Sequence, residues 1–84
     1  MDGFLNIGFG NMINVQKVQC IVSPDASPVK RMVQAAKDSG CCTDATCGRR
    51  CKSVLVMENH TIVLSALLPE TIAVRANQMQ SEGV

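Results

Sequence analysis

Ser53-Val54-Leu55-Val56-Met57-Glu58-Asn59-His60-Thr61-Ile62-Val63-Leu64-Ser65-Ala66-Leu67 is the stretch on which the fold turns. Two runs rich in branched apolar residues flank a short polar segment, which predicts strands at Ser53 to Met57 and Thr61 to Leu67 turning near Asn59-His60. Val54 and Val56 alternate with Leu55 and Met57, and Ile62 and Leu64 with Val63 and Leu67, so both faces of the hairpin are apolar. Successive strand residues point to opposite sides, and a sheet with one wet face would show polar residues there. Both faces therefore need a cover. The reading expects helices on one face and a neighbouring copy of the chain on the other. The alternative is that both helices and the N-terminal strand wrap the hairpin completely.

After the hairpin, Pro69 opens a helix with Glu70 in its first turn and Ile72, Ala73, Ala76 and Met79 on one face. Gln80 to Val84 read as polar, which gives one domain over residues 1–80 and a short polar tail over 81–84. Before the hairpin, Ser27 offers an N-cap oxygen and Pro28 suits the first helical position. Val29, Met32, Val33 and Ala36 then recur at helical spacing until Gly40 supplies a C-cap. Ser23 to Ala26 has turn chemistry, Met12 to Val22 reads as one long strand, and Phe4 to Ile7 as a short one ended by Gly8-Phe9-Gly10-Asn11. The expected fold class is α+β, a small antiparallel sheet with two helices.

With 84 residues, the chain hides only roughly 60 to 65% of its extended surface on folding, so its core is thin. Phe4 and Phe9 are its only aromatics, and Val, Ile, Leu, Met and Ala must fill the interior. The net charge of +1 is far from the basic balance of an ordinary nucleic-acid binder. The distribution is more informative. Between residues 17 and 52, Lys17, Lys30, Arg31, Lys37, Arg49, Arg50 and Lys52 face Asp25, Asp38 and Asp44, while the remainder sets Arg75 against Asp2, Glu58, Glu70 and Glu82. No basic, apolar leader and no run of 18 apolar residues occurs, so the expectation is a cytoplasmic protein that does not span a membrane.

Five cysteines in a reducing compartment predict free thiols. Cys41, Cys42, Cys47 and Cys51 invite a zinc or thiol-redox reading, but adjacent Cys41 and Cys42 would point to opposite faces of a strand and the spacing fits no zinc knuckle. Packing as small hydrophobes is the expectation, with Cys20 in the core of the long strand. His60, the only histidine, sits at the hairpin tip with no nucleophile placed beside it, and Gly8-Phe9-Gly10 is a backbone turn lacking the rest of a dinucleotide fingerprint. No catalytic residues, cofactor, metal or small-molecule substrate are expected.

The basic residues form the one constellation with consistent chemistry. Gly48-Arg49-Arg50-Cys51-Lys52 follows a turn-prone Asp44-Ala45-Thr46 segment, where guanidinium forks could reach outward to phosphates. Lys30 and Arg31 stand in the first turn of a helix, against its dipole, an arrangement that a bound phosphate would turn favourable.

Asn6-Ile7-Gly8-Phe9-Gly10-Asn11, Ile21-Val22-Ser23-Pro24, Ser27-Pro28-Val29-Lys30-Arg31, Asp44-Ala45-Thr46 with Gly48-Arg49-Arg50, Leu64-Ser65-Ala66 and Pro69-Glu70-Thr71 together resemble the RemA family, regulators of extracellular-matrix genes in biofilm-forming bacteria. The likeness runs from about Phe4 to about Asn77. It implies a LytTR-like α+β domain that assembles into a homo-oligomeric ring, with double-stranded DNA held along a basic rim. The family's Gly-Arg-Arg arginines carry over to Arg49 and Arg50, and a further family arginine matches Lys17, which keeps the charge but loses the fork. Lys30, Arg31 and Lys52 complete the expected DNA-binding set. The four clustered cysteines depart from the family's usual apolar, aromatic or hydroxyl residues, which leaves a thiol-redox or metal-sensing module as the alternative function.

Overall fold

A computed structural model describes residues 3–82. In chain order the elements are β1 (Phe4–Asn6), β2 (Met12–Asn14), a 3-10 turn (Val15–Lys17), β3 (Val18–Val22), α1 (Ser27–Asp38), β4 (Cys42–Asp44), β5 (Ser53–Met57), β6 (Ile62–Ser65) and α2 (Pro69–Glu82). β5 and β6 pair antiparallel with Leu55 opposite Val63 and Val54 opposite Leu64, the hairpin that the alternation predicts. β3 joins β5 on one side and β4 joins β6 on the other, giving the order β3-β5-β6-β4, while β1 and β2 form a separate two-stranded ribbon.

The sheet is mixed rather than antiparallel, because β4 runs parallel to β6. Cys42-Thr43-Asp44 is too short and too polar to announce itself as a strand. Its register comes from the chain path, since α1 carries the chain back to the sheet end where β6 begins and Cys41 O accepts from Ile62 N at 2.8 Å.

Both faces of the hairpin are covered within the chain. Val54, Ile62 and Leu64 pack with Ala36 of α1, flanked by half-buried Val29, Met32 and Val33. Leu55 and Val63 pack on the opposite face with Leu5 and Ile7 of the ribbon, Ala45 and Ile72 of α2. Each fully buried Val, Leu or Ile contributes about 1.5–3 kcal/mol, and truncating Leu55 to Ala would cost about 2–5 kcal/mol. The expectation that a second copy must cover one hairpin face is thereby corrected. The helices divide between the faces, and the ribbon completes the second one.

Met12 to Val22 is not one strand. Asn14 Oδ1 accepts from Gln16 N at 3.0 Å and starts the 3-10 turn, a local side-chain bond competing with the ladder. Ser27 is not the N-cap of α1. That place falls to Ala26, which makes no side-chain cap, and Ser27 is already helical. Gly40 follows the helix end at φ +77°, the left-handed conformation expected of it. In α2, Ile72 is buried and Ala76 half-buried as predicted, but Ala73 is exposed, and the side chain of Met79 lies outside those described. The helical backbone continues through the polar stretch from Gln80 as far as Glu82, and residues 83 and 84 lie outside the described residues. Among the described residues no helix is long and apolar enough to cross a membrane.

Candidate functional site

β5 runs from one end of the sheet to the other, about 14 Å at roughly 3.4 Å per residue, and the predicted cations sort onto these two ends. Arg49, Arg50 and Lys52 lie in the connection from β4 to β5, at the end where β5 begins. α1 starts at the same end, shortly after β3 finishes there, so the exposed Lys30 and Arg31 of its first turn belong to it as well. A shallow groove of about 370 Å³ joins Arg50 and Lys52 to Asp25 ahead of α1 and to Glu70 at the start of α2, so two carboxylates share it with the cations. Lys17 stands apart. It occupies the opposite end, where β3 begins beside the close of β5, with Lys17 O accepting from Glu58 N at 2.8 Å.

The arginine end is the more elaborately built. Ala45 N donates to Leu64 O at 2.9 Å, extending the parallel ladder one residue past β4. The hydroxyl and the amide of Thr46 both donate to Asp44 Oδ1, at 2.6 and 2.9 Å, and hold that carboxyl below the usual carboxylate range. Arg49 N then closes a turn on Thr46 O at 3.0 Å, with its central residues Cys47 and Gly48 at φ of 54° and 79°. Positive φ at both central positions marks a type I′ turn, a conformation that Gly48 supplies without strain and Cys47 does not. The turn leaves Arg49 and Arg50 exposed on a pinned backbone.

A second turn of the same kind lies beside it. Asn11 N bonds Gly8 O at 3.0 Å, with central residues Phe9 and Gly10 at φ of 54° and 77°. The Arg49 guanidinium carbon sits 5.5 Å from the centroid of the Phe9 ring, within cation–π range. Sequence reasoning missed Phe9, because the glycines around it read only as a turn. The available signal was an aromatic, scarce in this chain, at a position where the fold would expose it.

Buried serines tie the start of the Gly8–Asn11 turn and the segment after β6 to the sheet. Ser65 Oγ donates to Ile7 O at 2.8 Å and accepts from Leu67 N at 3.1 Å, and Ser53 Oγ donates to Leu67 O at 2.6 Å. Both serines are fully buried.

Charge pairing also separates the ends. Among the described residues the one ion pair is Lys17 with Glu58, at 3.7 Å and well exposed on both sides. Arg49, Arg50, Lys30, Arg31 and Lys52 have no carboxylate within salt-bridge distance among those residues.

The thiols divide as well. Cys42 and Cys51 are half-buried against the α1 side of the core, and burial pushes both thiols up from their ordinary range. Cys20, Cys41 and Cys47 are exposed, so packing does not account for them. Cys20 is corrected from core to surface. β3 is a rim strand, and α1 packs towards β4 at the other rim, which leaves Cys20 uncovered. No group of three or more His, Cys, Asp or Glu among the described residues is placed to hold a metal ion.

Fold and site together define a small α+β domain with a cationic, unpaired end. The chain belongs to the RemA-like family, described as extracellular matrix regulatory protein A-like, whose profile matches residues 4–76. It is 64% identical over 81 residues to a protein of Lachnoclostridium phytofermentans, covering 96% of this chain and 89% of that one. A relative in Bacillus velezensis is 52% identical and one in Microcystis aeruginosa 48%, each over 71 residues, covering 84% of this chain and 80% of theirs. All three are named, provisionally, regulatory proteins, and the names point to a regulatory role.

Proposed function

We propose that this chain is a non-enzymatic transcriptional regulator that binds duplex DNA through its phosphates, as a homo-oligomer, with Arg49 and Arg50 as the principal contacts. The observation that carries the reading is the pair of exposed arginines on a rigid turn without a carboxylate partner among the described residues. An unpaired guanidinium fork meets a phosphate bidentately, and neutralising it releases condensed counterions. Backbone strain points the same way. Phe9 and Cys47, two of the three non-glycine residues with left-handed backbone among those described, stand at this end, and His60 at the far hairpin tip is the third; such strain often accompanies functional sites. Lys52, Lys30 and Arg31 extend the cationic surface, and Lys17 contributes from the far end.

Oligomerisation is part of the reading. Phe4 and Met12 are 68% and 53% exposed on the outward side of the ribbon, and Val74 of α2 is 54% exposed, apolar surface suited to a second copy. Repetition around a ring would give a chain of net charge +1 a continuous basic track. Phosphate-led binding favours sites by DNA shape more than by base edges.

The test is anisotropy of labelled duplex DNA titrated with the protein at increasing salt, alongside light scattering after size exclusion. Linear loss of log affinity with log salt and a particle of several subunits are the expected results. A 9.0 kDa monomer that ignores DNA at low salt would overturn the reading.

A further inference from the structure

Phe9 is out of place by every criterion that folding supplies. It is one of the chain's two aromatics, in a protein short of core-filling side chains, yet it is 51% exposed and reaches no core cluster. Its φ of 54° is uncommon for a bulky residue. Both features cost stability. Among the described residues the ring meets one cation, the Arg49 guanidinium, whose carbon lies 5.5 Å from its centroid.

We propose that Phe9 is a positioning residue for Arg49: its ring holds the guanidinium in the orientation in which it meets a DNA phosphate. The proposal rests on the DNA-binding reading above and deepens it. A guanidinium resting over a ring leaves the N–H donors that point away from it free for a phosphate, so ring and phosphate do not compete for the whole group. A long side chain held before binding also loses less rotamer freedom on binding.

The support under the ring is firm. Ile7 N donates to Asn11 O at 2.9 Å across the turn, Gly8 N donates to Asn6 Oδ1 at 2.8 Å, and Asn11 Nδ2 donates to Gly8 O at 2.9 Å. The same amide reaches Ala45 O at 3.5 Å, on the residue just before the turn that carries Arg49. Ring and guanidinium are thus held by two turns tied to one another. Arg50 has no ring beneath it among the described residues and serves as the internal control.

The experiment measures duplex affinity and its salt slope for the full chain, for Phe9→Leu and Phe9→Tyr, and for Phe9→Leu combined with Arg49→Ala or with Arg50→Ala. Phe9→Leu should weaken binding about two- to fivefold, more where several subunits engage one duplex. The slope should stay unchanged, because every cation is still present. Phe9→Tyr should bind like the parent. The loss should vanish in the Arg49→Ala background and persist in full in the Arg50→Ala background. A loss that persists without Arg49 overturns the proposal, since the ring would then act on the fold or on DNA by itself. Parental affinity in Phe9→Leu, alongside weak binding by Arg49→Ala, overturns the positioning role and leaves the DNA reading standing. A parent that binds no DNA overturns both. Without DNA, proton NMR supplies an independent arm: the Arg49 Cδ protons should be ring-current shifted in the parent and not in Phe9→Leu, and their normal position in the parent would overturn the proposed stacking.

Discussion

At the Lys17 end of the sheet a flexible cation faces Glu58 across solvent, and the adjoining turn is held by surface bonds such as Thr61 N to Asn59 Oδ1 at 3.1 Å. At the Arg49 end an Asp44–Thr46 staple and two left-handed turns, one of them adjoining a buried-serine bond, hold cations that have no carboxylate within salt-bridge distance among the described residues. One end pairs its cation with a carboxylate beside a hairpin turn that has one left-handed residue, His60. The other carries two such turns and leaves its cations without a close carboxylate partner among the described residues. The difference teaches more than the net charge does, because a chain at +1 can still gather most of its cations at one end, without close carboxylate partners among the described residues.

The sharpest test of that contrast is DNA affinity. Arg49→Ala and Arg50→Ala should each weaken binding by about 1.5–3 kcal/mol, the range for hydrogen bonds to a charged group. For every phosphate that is no longer neutralised, the slope of log affinity against log salt should also flatten by roughly 0.9. Lys17→Ala should weaken binding clearly less, because Glu58 already offsets that charge, and Lys17→Arg should bind at least as tightly as the parent. Equal effects for Lys17→Ala and Arg49→Ala would erase the distinction between the ends.

Stability separates the ends next. Ser65→Ala leaves the Ile7 carbonyl and the Leu67 amide without their partner and should cost about 1–3 kcal/mol in chemical denaturation. Asn59→Ala, at the other end, should stay within about 0.5 kcal/mol of the parent. Similar midpoints for the two variants would mean that the serines fasten nothing.

Removing the offsetting charge is a gentler change. Glu58→Gln frees Lys17 and should tighten DNA binding by less than about 1 kcal/mol, with a slightly steeper salt slope. Weaker binding by this variant would show that the pair positions Lys17 instead of restraining it.

The smallest expected effect concerns pH. Thr46 holds the Asp44 carboxyl below its ordinary range, so the folded state favours the ionised form. This contribution is present above the ordinary aspartate value and disappears as pH falls through the lowered one. Asp44 is exposed, which limits the effect to about a few tenths of a kcal/mol. The parent should exceed Asp44→Asn in denaturation midpoint at neutral pH and converge with it as pH falls through the lowered Asp44 value. A difference that stays constant over that range would remove Asp44's charge from the account.

The elements that carried their own pattern were legible in the sequence. The hairpin followed from two-residue alternation, α1 and α2 from helical spacing with Pro28 and Pro69 near their starts, and the Arg49-Arg50 loop from the turn residues before it. What was not legible depended on partners distant in sequence. β4 owes its strand to Ile62–Leu64, the break at Val15 to a single Asn14 side chain, and the covering of both hairpin faces to the way α1 and α2 divide between them. Within the site, the residue types were visible but their grouping was not. Nothing local to Lys17 says that it faces Glu58, and nothing local to Phe9 says that Arg49 lies over it.

The strand order β3-β5-β6-β4 has a consequence for how the chain is made. β3 and β4 form the two rims, lie about 14 Å apart at roughly 4.8 Å per strand spacing, and precede in synthesis the hairpin that separates them. Neither can acquire its neighbour until residues 53–65 have left the ribosome, whereas β5 and β6 close on each other through a local turn within about 1–10 μs. The sheet is therefore completed from the middle outward, by a late wedge entering between two waiting rims. Pulsed hydrogen exchange during refolding should protect β5 and β6 amides first, and earlier protection of β3 would reverse this order.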